Sequence, residues 1–283
     1  MKQNKKGFLI WCFIVFTICI SALIIYGVWI EPNRIEVHHV WISDKYLVKV
    51  LDKKIVVQLS DLHIRRIGSR EQNVLKILDD LQPDIIFLTG DYVKWKGDYK
   101  PALIFLSQLK AKTGIWGVLG DYDYSRSRMS CLFCHAEGSG EFTGIHRVHF
   151  LRNSSERINL PQGTICIGGI EKEEEEPALP LTRLQSLKSQ QPEIILSHSP
   201  LMFNLFRKDR NVFILAGDTH GGQIPLPSWF LRMIGYEKNA LYSEGFFKNG
   251  KAKMFVSRGI GTSHFPIRLF RRPEIVVLHF KDT

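Results

Sequence analysis

Five short apolar runs in this chain each end in a cluster of aspartate, histidine and glycine, and no other feature restricts the possible folds so tightly. Residues 55–59 run into Ser60-Asp61-Leu62-His63, and 85–88 into Thr89-Gly90-Asp91. Residues 115–119 lead to Gly120-Asp121-Tyr122-Asp123, and 194–196 to Ser197-His198-Ser199-Pro200. Residues 212–216 lead to Gly217-Asp218-Thr219-His220-Gly221-Gly222-Gln223. The runs have strand length and most are rich in Ile and Val. Similar runs lie at 165–167, 254–256 and 275–278, and amphipathic stretches at 70–81, 99–109 and 182–190 suit helices. Strand and helix in alternation predict an α/β layered domain with helices covering buried sheets.

In α/β sheets, ligands gather outside the carboxyl ends of strands. A lone aspartate after a strand is usually a helix cap or a turn. Five clusters in series, all drawn from metal-binding residue types, point instead to one site. Carboxylate oxygen and imidazole nitrogen without thiolate suit Mn²⁺, Fe or Zn²⁺. The candidate ligands Asp61, His63, Asp91, Asp121, His198, Asp218 and His220 exceed the needs of one ion and match two. Two metals ~3.5–4 Å apart can clamp a phosphoryl group for in-line displacement. The glycines before Asp91, Asp121 and Asp218 are expected to let the backbone turn sharply there.

The order D-x-H, G-D, G-N-H-D, H, G-H-x-H resembles the calcineurin-like metallophosphoesterase superfamily, from about residue 54 to the C-terminus. Arg258-Gly259-Ile260-Gly261-Thr262-Ser263 and Arg272-Pro273-Glu274-Ile275 look like the closing motifs of a membrane-associated bacterial branch, which includes the chlamydial-type UDP-2,3-diacylglucosamine pyrophosphatases. The resemblance implies a two-sheet αββα sandwich with helices outside. It implies that Asp61, His63, Asp91 and His220 hold the first ion, that Asp91 bridges, and that His198 with positions 121 and 218 holds the second. It also implies metal-dependent hydrolysis of the pyrophosphate bond of UDP-2,3-diacylglucosamine, giving UMP and 2,3-diacylglucosamine 1-phosphate in lipid A biosynthesis. A broader envelope phosphodiesterase and a catalytically degenerate membrane-bound binding protein are the alternatives.

Three positions depart from the family pattern. The motif's Asn is Asp121, and the first His of the last motif is Asp218. Both can still ligate, and they shift the preference towards oxygen-loving ions such as Mn²⁺ or Mg²⁺. Two divalent ions, Mn²⁺ foremost, are therefore the expected cofactors. The motif's His, thought to protonate the leaving group, is Tyr122. With an ordinary pKa of ~10, a tyrosine is a poor general acid near neutral pH. An alkoxide leaving group needs that proton, whereas a phosphoanhydride expels a phosphate that does not. Tyr122 thus tilts the expectation towards pyrophosphate hydrolysis. Asp123 beside it is a second catalytic candidate, and Arg65, Arg66 and His264 are candidates for substrate contact.

Residues 8–30 carry no charge, and a bilayer core takes ~20 apolar residues in helical form. A secretory signal competes, since Lys2, Lys5 and Lys6 make a positive n-region, but the run is too long for one and no small-x-small site follows. The expected organisation is a membrane anchor at 1–30, a linker with a first strand at 31–53, and the phosphoesterase domain at 54–283. The N-terminal lysines favour a cytoplasmic N-terminus, and Arg34, Lys45 and Lys49 oppose it. A lipid A precursor is met at the cytoplasmic face of a bacterial inner membrane, so the domain is expected there.

Basic residues exceed acidic ones by ten, which favours anionic partners. No basic helix interleaved with aromatics and no zinc-finger spacing is present, so nucleic acid is not expected. The expected partners are a nucleotide-linked lipid and the membrane, with no protein partner. Five scattered cysteines do not make a disulfide scaffold. Cys131-Leu132-Phe133-Cys134-His135 matches a haem-attachment pattern but reads better as a reduced pair, or as a disulfide after export. Glu173–Glu176 reads as a solvated loop, and 227–234 as either a packed helix or a lipid-touching surface.

Overall fold

Alternating residues of the central strands face two different apolar layers, and this sets the architecture. In a computed structural model, which describes residues 3–94, 98–124, 146–170, 193–206 and 208–281, the expected strands are present. They are β2 (Val56–Leu59), β3 (Ile85–Thr89), β4 (Gly114–Val118), β7 (Gly163–Ile170), β8 (Ile194–Ser197), β9 (Val212–Ala216), β11 (Ala252–Val256) and β12 (Glu274–Phe280). β1 (Glu36–Ile42) lies in the stretch 31–53 where a first strand is expected, and three more join them: β5 (Val148–Phe150), β6 (Ser154–Leu160) and β10 (Gly245–Asn249). One sheet runs β1-β12-β2-β3-β4-β5, and the other β10-β11-β9-β8-β7-β6. The strands β2, β3, β4 and β5 are mutually parallel, as are β7, β8, β9 and β11.

Val56, Ile85, Phe87 and Trp116 of the first sheet meet Ile167, Ile194, Leu196 and Phe213 of the second in a layer between the sheets. The intervening residues Val57, Ile86 and Leu88 face outward and are covered by α3 (Ser69–Leu81) and α4 (Lys100–Gln108). A fully buried Ile or Leu side chain contributes about 1.5–3 kcal/mol, so each strand that faces two apolar layers is held from both sides. The result is the expected α/β sandwich of two sheets with helices outside.

The stretch 31–53 holds β1, which pairs in parallel with β12, and also the helix α2 (Lys45–Leu51), whose N-terminal amides at Tyr46 and Leu47 bond to the Asp44 carboxylate. The candidate helix 182–190, the Cys131–His135 motif and Glu173–Glu176 lie outside the described residues.

The N-terminal helix α1 (Gln3–Ile25) fits a membrane anchor: Phe8, Trp11, Phe13 and Phe16 all stand bare, and the apolar stretch extends over Gly7–Asn33. Its base is built into the domain. The Gly27 carbonyl accepts from the Arg268 amide at 2.9 Å, and the buried Glu31 carboxylate accepts from the Arg271 amide at 2.6 Å. A Cβ on residue 27 would lie 2.8 Å from Leu269 Cδ2 and 3.1 Å from the Arg268 carbonyl oxygen, so glycine eases the close approach to that loop.

Candidate metal centre

The carboxyl ends of β2, β3, β8 and β9 bring six of the seven expected ligands to one buried place, and β4 adds the seventh at its rim. Asp61, His63, Asp91, Asp218 and His220 all sit on left-handed backbone, with φ of 51°, 45°, 57°, 74° and 53°. Non-glycine residues avoid that region at about 1–3 kcal/mol each. Cross-connections hold them there: the Asp61 and His63 amides donate to the Gly90 and Asp91 carbonyls at 2.9 Å, and the Asp218 amide donates to Asp61 Oδ1 at 3.1 Å.

Of the three glycines expected to permit sharp turns, only Gly90 has a positive φ, 90°. The other two are needed for room. A Cβ on residue 120 would lie 2.1 Å from Asp91 Oδ1, and one on residue 217 would lie 1.9 Å from Ser60 Oγ and 2.5 Å from Asp61 Oδ2. Both carboxylates are cradled by backbone that carries no side chain.

Ligand atoms gather in two groups that share a carboxylate, Asp61–His63–His220 and Asp61–Asp91–His198. His63 Nε2 lies 3.0 Å from His220 Nε2 and 3.5 Å from Asp91 Oδ2, and His220 Nε2 lies 3.6 Å from Asp61 Oδ1. His198 Nε2 lies 3.4 Å from that same Asp91 oxygen. Around an ion with bonds of about 2.1 Å, neighbouring ligands stand about 3.0 Å (octahedral) to 3.4 Å (tetrahedral) apart. The donor set therefore has the spacing of a coordination sphere.

Proton positions agree with that fit. His198 Nδ1 donates to the Thr89 carbonyl at 2.8 Å, which leaves Nε2 aimed at carboxylate oxygens. Positive charge is favoured at that nitrogen: burial opposes it, yet Asp91, Asp218 and Asp61 raise the His198 pKa well above its ordinary value. Burial, reinforced by Asp91 and Asp218, pushes the Asp61 carboxyl up to about 7. Burial and nearby cations push His63 down to about 4, so it presents a neutral imidazole. Asp91 is held well below the ordinary carboxylate range: burial opposes this, and His198 and His63 overcome it.

Asp121 and Asp218 line the same cavity of about 440 Å³, together with Asp91, Tyr122 and His220. Asp218 Oδ1 stands 4.0 Å from His198 Nε2, and its other oxygen is paired with the ammonium of Lys238 on α6 (Glu237–Leu241). Lys238 thus places a fixed positive charge beside a candidate ligand. Lys238→Met is expected to tighten divalent-cation binding by about tenfold, because the ammonium no longer competes for Asp218. Calorimetric titration with Mn²⁺ as the probe reads this directly, and an unchanged or weakened affinity would count against the competition.

The remaining candidates fall in different places. The Tyr122 hydroxyl contacts His264 Nδ1 at 3.2 Å, and its ring packs edge-on to His63. Burial, then the carboxylates of Asp91, Asp121, Asp218 and Asp61, push the Tyr122 pKa above its ordinary value. Asp123 is turned away from the cavity. Both its oxygens accept backbone amides, from Asp91 at 2.7 Å, Tyr92 at 2.8 Å and Gly120 at 2.8 Å, so it ties two strand ends together. This geometry gives it a positioning task in place of the chemistry expected for it. Arg65 and Arg66 are exposed on a separate cavity of about 750 Å³ that also contains His63, Arg70 and Lys94. The metal centre thus lies between a basic cavity and one with an apolar wall formed by Leu226, Leu231, Ile234, Phe265 and Ile267.

The closing motifs form the back of the site. A Cβ on residue 259 would lie 2.6 Å from that of Asp61, and the Gly261 amide donates to the Asp61 carbonyl at 2.6 Å. The buried Glu274 accepts from the Arg258 amide and guanidinium at 2.8 Å and contacts His38 at 2.8 Å. Two functional residues had no signal in the sequence. Lys238 reads as an ordinary helix lysine. Arg268, fully buried, donates to the Gly261, Arg258, Gly259 and Arg271 carbonyls and reaches His220 Nδ1 at 3.3 Å.

A two-sheet sandwich with carboxylates and imidazoles at its strand ends defines a metal-dependent hydrolase of phosphate esters. Residues 55–204 match the model of the calcineurin-like phosphoesterases, and the chain belongs to that family. It is 25% identical to the metallophosphoesterase YkuE of Bacillus subtilis over 91% of its own length and 90% of the relative's. It is 25% identical to the UDP-2,3-diacylglucosamine pyrophosphatase LpxG of Chlamydia trachomatis, covering 93% of this chain and 95% of that one. It is 26% identical to a bovine transmembrane protein with a metallophosphoesterase domain, over 79% of this chain and 52% of that protein. The family's chemistry is phosphoester hydrolysis, and its fold implies divalent metal ions, for which the ligand groups are present.

Proposed function

We propose that this protein hydrolyses the pyrophosphate bond of a nucleotide-linked diacyl sugar, UDP-2,3-diacylglucosamine, to UMP and 2,3-diacylglucosamine 1-phosphate. The observation that carries this reading is Tyr122. It takes the place of the family's proton donor, and its surroundings raise its pKa still further. A departing phosphate needs no proton, so an anhydride tolerates this site and an unactivated diester does not. The two cavities support the amphiphile: Arg65 and Arg66 suit the nucleotide phosphates, and the apolar wall suits the acyl chains. The similarity to LpxG points the same way.

In this reading Asp61, His63, Asp91, His198 and His220, with Asp121 and Asp218, hold two divalent cations, Mn²⁺ preferred. When bound, such cations supply positive charge to the phosphoryl oxygens and make water more acidic. The chain's own residues orient them: Thr89 fixes the His198 tautomer, Arg268 abuts His220, and Lys238 offsets the excess of carboxylates. The protein is anchored by α1 in a bacterial inner membrane, with the domain at the cytoplasmic face.

A second reading is favoured by one contact, Tyr122 with His264. If His264 delivers a proton, the substrate is a phosphodiester of some other envelope lipid. The two are separated by assaying full-length protein with Mn²⁺ on UDP-2,3-diacylglucosamine and on an aryl phosphodiester. UMP release is expected, with Tyr122→Phe and His264→Ala each within about threefold of wild type, since general acids contribute about 10²–10⁴-fold only where they are used. Cleavage of the diester alone, lost by about 10²-fold in His264→Ala, would move the assignment to the second reading.

A further inference from the structure

The base of α1 and the apolar wall of the metal-centre cavity are parts of one continuous surface. The loop 263–271 joins them. On one side the Gln223 amide donates to the Phe265 and Ile267 carbonyls at 3.0 Å, and the Leu269 amide donates to the Gln223 carbonyl at 2.8 Å. On the other side Gly27 packs against Ile267 and Leu269 and accepts from the Arg268 amide. Phe265 and Ile267 line the cavity beside Leu226 and Ile234, which flank α5 (Ser228–Met233).

This surface is apolar and bare. Trp229 is 67% exposed, Met233 67%, Phe265 69% and Phe270 66%. Trp229 and Met233 are one helical turn apart, on the side of α5 opposite the buried Leu231. Trp29 at the foot of the anchor is 63% exposed. Bare aromatics of this size are unusual on a soluble face and ordinary at a membrane interface, where Trp sits at headgroup depth. Arg232 of α5 and Arg272 just beyond the loop are exposed as well, and such cations suit anionic headgroups.

We infer that α5 and the loop 263–271 are seated in the headgroup–acyl boundary of the bilayer that holds α1, so that the apolar wall of the metal-centre cavity opens into lipid. The occupant is the membrane, and the argument for it is continuity with the anchor. The inference rests on the proposed anchoring and extends the proposed substrate class: an acyl chain enters the site along α5 without crossing water.

Tryptophan quenching in the full-length protein, reconstituted in nanodiscs without substrate, tests this. Trp229 is isolated as the difference between wild type and Trp229→Phe, and Trp11 as the difference from Trp11→Phe. Bromolipids are expected to remove about half of the Trp229 emission, as for a side chain within the acyl boundary, while aqueous iodide leaves it nearly intact. A tryptophan placed by Phe270→Trp in the Trp229→Phe background should behave in the same way. Trp229 quenched by iodide and not by bromolipid overturns the inference, and so does shielding from both, which means that protein covers the patch. Trp11 quenched by bromolipid in the same sample shows that the anchor is inserted, so failure of the seating is distinguished from failure of the anchoring. Because no turnover is read, failure of the substrate assignment leaves the result unaffected.

Discussion

Asp91→Ala is expected to lower turnover by about 10³-fold or more and to strip the protein of most of its metal. The expectation follows from where the carboxylate stands. One oxygen lies within 3.5 Å of both His63 and His198, which belong to different ligand groups, and the other accepts the Tyr122 amide at 3.1 Å. Asp91 is a member of one group and lies beside the other, so removing it opens the first and loosens the second. Alanine on left-handed backbone adds a folding cost of about 1 kcal/mol, so Asp91→Asn, which keeps the shape and the amide acceptor, is the cleaner partner. Both variants should melt as folded proteins, and both should lose metal by elemental analysis after dialysis. Metal retained in full by either variant would remove Asp91 from the ligand set.

Arg268→Met has the largest expected effect on stability. The guanidinium is fully buried, and its donors close on the carbonyls of Gly261, Arg258, Gly259 and Arg271. Burial brings its pKa down to about 9, which still leaves it charged at neutral pH. Methionine fills the space but strands those carbonyls, for about 3–5 kcal/mol. In a domain of this size that is a fall in melting temperature of roughly 10 °C. Arg268→Lys should recover little, because a point ammonium cannot reproduce the fork. Since Arg268 also abuts His220, the Met variant should bind metal more weakly even at temperatures where it is folded. A melting temperature unchanged within the error of calorimetry would refute this account of the closing loop.

How much of this could be read from the chain depended on whether a residue's task was local. The ligand-bearing strands are buried on both faces, so each appears as a short, mainly apolar run followed within a few residues by Asp or His. The edge strands β6 and β10 are different. In Ser154–Leu160 and Gly245–Asn249, exposed and half-buried positions interleave, and no apolar run marks them. The helix α2 hid in an apparent linker because only Leu47, Val50 and Leu51 of its seven residues are buried. Asp123 looked catalytic by its place in the motif, yet its partners are amides brought over from the neighbouring strand end. Lys238 matters through Asp218, twenty residues away, and Arg268 through the carbonyls of a folded loop and through His220, so the sequence around them marks neither one.

The left-handed backbone under five of the ligands has a consequence for how this protein can change. Glycine at position 61, 63, 91, 218 or 220 would relax a strained torsion and delete a metal donor in the same step. A lineage drifting towards a tougher fold would therefore pass through the loss of its chemistry, and one that keeps the chemistry holds the strain in place.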